Sequence, residues 1–390
     1  LVVVVDRNAH SALGGLLSHD VLRELVVDLM RRGQVLELDL DLTGIVGINS
    51  LQLNVDGYYN RLFADMTMYP GGAAPMYMVT WPDVGTLNAG VAATDNIALP
   101  HGQSVRLSAK WAWQQQQINN KEGLNALSVF FPNMHDSYFQ IIGRIAASYQ
   151  LTVSHWQFAV GGGWGSRAPS VTEAYGYYLN NTFDQYDYIG NPRLKNESAI
   201  ELNTSIRWNT TDNLLFKAEG NAFLFSNYII GQFEPRLSAM TVAAEGVKVY
   251  GNLKRATIAN ITLSSQWEIT DFLRFNASCS SGFGEDDDDD NLPLIAPVGY
   301  TANLTYFYNK IEIGTELKGN AKQKRYGKKY GETETPAYIV CRLSGSYAFK
   351  FVKLNAGIEN LFDKYYYTYA DWCGIPQKGR NIYINLIFDI

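Results

Sequence analysis

The last nine residues, 382–390, alternate in character. Ile382, Ile384, Leu386, Phe388 and Ile390 share one face, and Tyr383, Asn385, Ile387 and Asp389 the other. Period two with one wholly apolar face is a β-strand whose apolar side meets either a core or lipid. The pattern recurs upstream. Over 105–114, Val105, Leu107, Ala109, Trp111 and Trp113 oppose Arg106, Ser108, Lys110 and Gln114. Over 199–208, Ile200, Leu202, Ile206 and Trp208 oppose Glu201, Asn203, Ser205 and Arg207. Some fourteen such segments lie between Asn49 and Ile390, many longer than the ~5–6 residues usual for a strand in a soluble protein.

The connections decide what these strands build. Those at 99–102, 152–153, 211–213, 270–271 and 309–310 are tight. Those at 69–82, 119–136, 167–196, 231–253, 284–297, 323–336 and 364–380 are long. Short and long alternate without a break, as in an up-and-down barrel that crosses an outer membrane. A soluble sandwich has no reason to keep that parity. Charges of both signs on one face of each strand need a wet interior, and the apolar face with its Trp and Tyr needs lipid. The expected fold is therefore all-β, a transmembrane antiparallel β-barrel of about fourteen to sixteen strands.

Composition agrees and removes other classes. Charged residues are only 18% of the chain, while Tyr, Phe and Trp number 25, 18 and 8. A net charge of −6 gives no reason to expect nucleic acid as a partner. The longest apolar run is the pentamer Leu1 to Val5, far below the ~18 residues of a spanning helix. No nucleophile elbow, HExxH, phosphate loop or Cys-x-x-Cys occurs, so no enzyme is expected. Cys279 and Cys341 fall on outward faces of non-neighbouring strands and are not expected to pair, and Cys373 sits in the last outer loop.

Residues 1–43 read in two ways. After Ser18, a good N-cap, Val21, Leu22, Leu25, Val26, Leu29 and Met30 recur at helical spacing. Val35, Leu36, Leu38, Leu40 and Leu42 then alternate against Glu37, Asp39 and Asp41. The segment is a short helix, the first barrel strands, or both, and 44–390 is the barrel. With no initiator Met and no basic leader, the chain reads as the C-terminal part of something longer.

Several motifs resemble one family, the TonB-dependent outer-membrane receptors. Gly357-Ile358-Glu359-Asn360-Leu361-Phe362-Asp363-Lys364-Tyr365, with Gly379-Arg380 opening the last strand, is similar to the family's C-terminal signature. Arg167, Pro169 and Ser170, then Asn191-Pro192-Arg193-Leu194-Lys195-Asn196-Glu197-Ser198, resemble a second signature, with Asn196 where the family usually has Pro. Leu292-Pro293 and Thr335-Pro336 resemble two more strand openings. The resemblance covers 49–390. It implies a barrel that normally has twenty-two strands, and a plug domain and TonB-contacting box that are not visible in this chain. It implies an outer-membrane location, contact with lipid and lipopolysaccharide, and uptake of a scarce metal or metal chelate, copper or an iron-siderophore, driven through the TonB complex. A passive porin or adhesin-like barrel is the alternative. On physical grounds Arg167, Pro169, Asn191, Pro192, Glu197, Asn360, Leu361, Phe362, Asp363, Gly379 and Arg380 are expected to shape the barrel and bind nothing.

The candidate ligand residues lie in outer loops. Met66, Met68, Met76 and Met78 form two Met-x-Met pairs. Thioethers are soft donors suited to Cu(I), and alternate residues of a strand point to one side. The stretch 56–78 also resembles the matching strand of the family's copper receptors. Asp286, Asp287 and Asp288 belong to an unbroken acidic run from Glu285 to Asp290, suited to gathering calcium or another divalent cation. His135 stands in an outer loop between Met134 and Asp136, His101 at an inner turn, and His155 at an inward-facing strand position. No cofactor is required by these features; a copper or calcium ion is the most they suggest.

Overall fold

The computed structural model describes residues 2–5, 36–68, 74–371 and 374–388. The helical pattern over 18–30, Val35 and Cys373 lie outside the described residues. Eighteen strands join in one sheet. The wall begins with β2 (Leu36–Val46), β3 (Asn49–Met68), β4 (Met76–Leu99), β5 (Gln103–Ile118), β6 (Ser137–Val153) and β7 (Trp156–Arg167). It continues with β10 (Glu197–Thr211), β11 (Leu214–Phe233), β12 (Gly246–Thr270), β13 (Leu273–Asp286) and β14 (Gly299–Tyr308). It ends with β15 (Ile311–Asn320), β16 (Tyr338–Ala348), β17 (Val352–Glu359) and β18 (Asn381–Phe388). Each of these fifteen strands pairs antiparallel with the next. A small hairpin, β8 (Leu179–Asn181) and β9 (Tyr186–Ile189), sits above the wall, with β9 parallel to the top of β12. β1 (Val2–Val5) runs parallel to β2 along Glu37–Leu40.

The alternation of connections is as the sequence requires, with seven tight turns on one rim and seven long loops on the other. The wall begins at Leu36, within the stretch read as a short helix, the first barrel strands, or both. Two details differ. His155 lies in the tight turn between β6 and β7 and not on a strand. β4 rises to Met76, well into the stretch that Gly and Pro marked as loop, because pairing with β3 continues through two register shifts near Ala64. Cys279 and Cys341 are both free thiols.

Register assigns the two faces. Asp56, Lys110, Arg144, Glu201, Glu219 and Asn260 look inward, where Lys110 and Asp56 meet at 2.6 Å and Asn260 donates to Asn221 at 2.9 Å. Leu53, Trp111, Ile145, Ile200 and Leu263 look outward and are exposed. Near the tight turns the outward face becomes aromatic. The rings of Trp156 and Trp208 stack at 5.0 Å, and those of Trp156 and Phe158 at 5.8 Å. This is the girdle of a barrel at a membrane interface. β2 and β18 both run toward the tight-turn rim, so antiparallel pairing between them is impossible, and the described residues give β18 a register with β17 alone.

Leu202 and Asn203 are neighbours on opposite faces of β10. Leu202→Arg should therefore lower folding stability in lipid by about 2–4 kcal/mol, whereas Asn203→Arg should change it by under about 1 kcal/mol. Urea titration of the protein in lipid vesicles checks the pair; equal costs would mean that the faces are misassigned.

Candidate functional site

The long-loop rim is where the candidate residues gather. Met66 stands opposite Met78 across β3 and β4, and Met68 opposite Met76. Partners in an antiparallel pair share a face. Met78 is buried in an apolar cluster with Val84, Ile118, Leu127, Tyr175 and Val247. Met66, Met134 and Met240 pack against the same cluster. Four methionines from four separate segments thus belong to one apolar cluster, two of them unflagged by the Met-x-Met spacing. Met76 stays exposed. His135 is on the rim, its ring edge-on to Tyr138 at 6.4 Å, and outside the cluster.

Local sequence explains how the loops roof this cluster. α1 (Lys121–Phe130) starts at Asn120, whose side chain accepts from the Gly123 N–H at 2.9 Å. Gly123 lies so close to Pro82 that a Cβ would meet the proline Cβ at 2.2 Å, so only glycine permits the approach. α2 (Val171–Tyr175) is opened by a capping box between Ser170 and Glu173. Its loop crosses to the inside of β4 and β5. There Trp81 donates to Thr172 at 3.2 Å, the Tyr177 N–H to the Thr80 carbonyl at 2.9 Å, and Gln116 to the Pro169 carbonyl at 3.2 Å.

The signature residues hold this roof. Arg167 makes a two-pronged contact with Glu173 (2.8 and 3.0 Å) and reaches Glu197 at 2.9 Å, and Glu197 accepts the Ile229 N–H at 2.8 Å. Burial alone would raise the Glu173 pKa, but the hydrogen bonds from Arg167 and Ser170 outweigh it and hold the carboxyl below its ordinary value. Asn191 donates to the Tyr250 carbonyl at 3.0 Å, and Pro192 beside it is buried. At the far end Asn360 binds the Lys364 backbone at both N–H and C=O, each at 2.8 Å. The Leu361 N–H donates to the Cys341 carbonyl at 2.8 Å. Asp363 accepts the Arg380 N–H at 2.7 Å, and Arg380 donates to the Leu361 carbonyl at 3.0 Å. A Cβ at Gly379 would come within 2.8 Å of the Asp363 carboxylate, which would have to shift from the Arg380 N–H. Phe362 is exposed.

The acidic run has another use than the one its composition suggested. The carboxylates of Asp286, Asp288 and Asp290 do converge, within 4.8 Å. The cation among them is the protein's own: the Lys329 ammonium lies 2.9 Å from Asp286, 2.7 Å from Asp288 and 3.4 Å from Asp290. The Tyr330 hydroxyl donates to Asp286 at 2.6 Å. Burial raises the Asp286 pKa, and the bonds from Tyr330 and Lys329 more than reverse that. Asp287 is exposed outside the group.

A second lysine was not legible in the sequence. Lys248, one charge in the apolar run Val247 to Tyr250, is fully buried. Its ammonium donates to Asp184 at 2.6 Å and to the Tyr330 carbonyl at 2.8 Å. It also faces the rings of Tyr186, Phe233 and Tyr188 at 4.5, 5.0 and 5.5 Å. Burial lowers the Lys248 pKa, and Asp184 offsets part of that. Tyr330 thus links the Lys248 and Lys329 groups, tying together three long loops and the tops of β11 and β12.

Residues 8–361 match the family model for the β-barrel of TonB-dependent-receptor-like proteins. The chain belongs to this family. It is an outer-membrane barrel of a Gram-negative bacterium, and the family's members are receptors and transporters rather than enzymes. No curated protein matches the chain by sequence. Among solved structures, the copper transporter OprC superposes with a TM-score of 0.76 at 18% identity, over 91% of this chain and 56% of that one. The FrpB iron transporter from Neisseria meningitidis gives 0.62 at 11% identity, over 90% and 55%. A mutant ferric enterobactin receptor (PfeA) from Pseudomonas aeruginosa, in complex with enterobactin, gives 0.60 at 15%, over 88% and 60%. The chain therefore spans little more than half the length of these relatives, and at such identities the likeness is one of fold.

The lysine groups are open to test. Asp184→Asn leaves a buried ammonium without its counter-charge and should remove about 3–5 kcal/mol of local stability, whereas Asp184→Asn with Lys248→Met should recover most of it. Amide hydrogen exchange over 182–190 and 246–250 reads both. Glu173 titrates below its unfolded value, so its contribution is complete above about pH 4.5 and is lost as the pH falls through the lowered native value. Exchange over 170–176 should quicken in that acid range, and Arg167→Gln should move the onset to higher pH.

Proposed function

We propose that this chain is the barrel part of a TonB-coupled receptor that takes up a metal or metal chelate, and that its cargo is copper, bound as Cu(I) by methionine. The observation that carries this reading is that Met78 is buried in the apolar cluster at the extracellular mouth, with Met66, Met134 and Met240 packed against it. Thioethers are uncharged and polarisable, so they can be buried without the desolvation cost of a carboxylate, and they favour a soft monovalent ion over calcium, magnesium or ferric iron. The likeness of fold to the copper transporter OprC supports the same cargo. The energised step would come from TonB acting through a plug and box, as in the family. Iron-chelate uptake is the second reading, supported by the likeness of fold to the FrpB iron transporter and the ferric enterobactin receptor.

Leu and Met have similar volumes, so replacing Met66, Met78, Met134 and Met240 together by Leu should leave the barrel folded. Uptake of radiolabelled copper by cells carrying the full-length variant should fall by about tenfold or more, since every soft donor of the cluster is gone. Ferric-siderophore uptake should be unchanged. Unaltered copper uptake would end the methionine assignment, and a selective loss of siderophore uptake would favour the second reading.

A further inference from the structure

The outward face of the lower wall carries a carboxylate where lipid should be. Asp95 sits in register between Leu51 and Leu107, both exposed on the lipid side. On the lower half of the wall it is the only charged side chain on the outward face of the described strands. One oxygen, Oδ2, accepts from the Asn49 side chain at 3.0 Å. The other, Oδ1, is shielded and has no hydrogen-bond partner among the described residues. A charged group facing hydrocarbon is costly, and no bulk water is at hand to supply the missing donor.

Asp95 also marks one end of a trough. Ala93, Ala109, Ala147 and Gly162 floor a hollow of about 580 Å³ in the outer surface, walled by Leu107, Ile145 and Trp164. Small side chains on adjacent strands make the floor, so the hollow is long, shallow and almost wholly apolar, a shape that suits an acyl chain. Depth fixes the rest. Asp95 is four residues above Leu99, where β4 ends at a tight periplasmic turn. Strand rise and tilt put it roughly 10 Å above that rim, at the level where the headgroups of the periplasmic leaflet give way to hydrocarbon.

We propose that this trough binds an aminophospholipid of the periplasmic leaflet, its ammonium donating to Asp95 and one acyl chain lying along Ala93, Ala109 and Ala147. Charge complementarity decides the headgroup. A lipid with a protonated amine supplies the counter-charge that no described residue gives the Asp95 carboxylate. Phosphatidylglycerol has no positive charge, and the quaternary nitrogen of phosphatidylcholine has no N–H. A second copy of the chain would bring no counter-charge, because no Lys or Arg shares that lower outward face on the described strands.

Native mass spectrometry of the full-length receptor, delipidated in mild detergent and titrated with single lipids, tests this. Phosphatidylethanolamine should be retained, one per chain, about tenfold more tightly than phosphatidylglycerol, the ratio one charge-assisted hydrogen bond provides. Phosphatidylcholine should fall between them. Asp95→Asn should abolish the preference, and Ala109→Trp, which fills the trough, should weaken both lipids. Equal retention of phosphatidylethanolamine and phosphatidylglycerol by the unaltered receptor overturns the proposal, with or without folded variants. So does a preference that survives Asp95→Asn, or a dimer in place of a lipid adduct.

Discussion

Within a bilayer no water reaches the backbone, so each N–H and C=O of a spanning segment must be paired inside the protein. The wall meets that demand at each of the fourteen seams between consecutive strands from β2 to β18, and the rest of the molecule follows from it. A sheet that is dry on one side and wet on the other must alternate in sequence, which is why Lys110 and Glu201 look inward while Trp111 and Ile200 look outward. The same demand forbids irregular chain at membrane depth. All the chemistry that needs irregular backbone, caps and converging side chains is therefore displaced to the long-loop rim.

At that rim the balance of forces changes. Loops of twelve to twenty-nine residues between strand ends have a large entropy to overcome. Besides the apolar cluster, they are held by charges in partly dry surroundings: Arg167 between two glutamates, Lys329 among three aspartates, Lys248 between Asp184 and three rings. Each group joins residues tens of positions apart. The apolar cluster around Met78 and Leu127 lies beneath these clasps, and α1 and α2 supply its lid.

What the sequence made legible follows the same division. Periodicity and loop parity are local properties, and from them the wall, its two faces and the order of its turns could be read. Strand tops were read short, as at Met76, because Gly and Pro suggest turns while long-range pairing with β3 extends the strand. The clasps could not be read. Nothing near Lys248 announces Asp184, sixty-four residues away, and the acidic run looked like a cation trap because its lysine lies forty-one residues beyond Asp288. Half of the methionine set was visible as Met-x-Met; Met134 and Met240 join it only through the packing of separate loops. Asp95 was hidden for the opposite reason. A lone carboxylate is unremarkable until register places it between two leucines.

The mouth's apolar cluster and its clasps are also coupled through one strand end. Val247 and Lys248 are consecutive on β12 and point to opposite sides: Val247 into the cluster with Met78, Lys248 into the cage of Tyr186, Tyr188 and Phe233. Beside them the buried Asp187 accepts the backbone N–H groups of Met240 and Thr241 at 2.8 and 2.9 Å. Any motion that lifts Met240 from the cluster must strip Asp187 of its donors, and any motion of the top of β12 must drag a buried ammonium from its counter-charge. Breaking either without compensation is expensive. Small displacements of these loops are therefore resisted. The cluster and the clasp thus share one strand end, and neither can be repacked without disturbing the other.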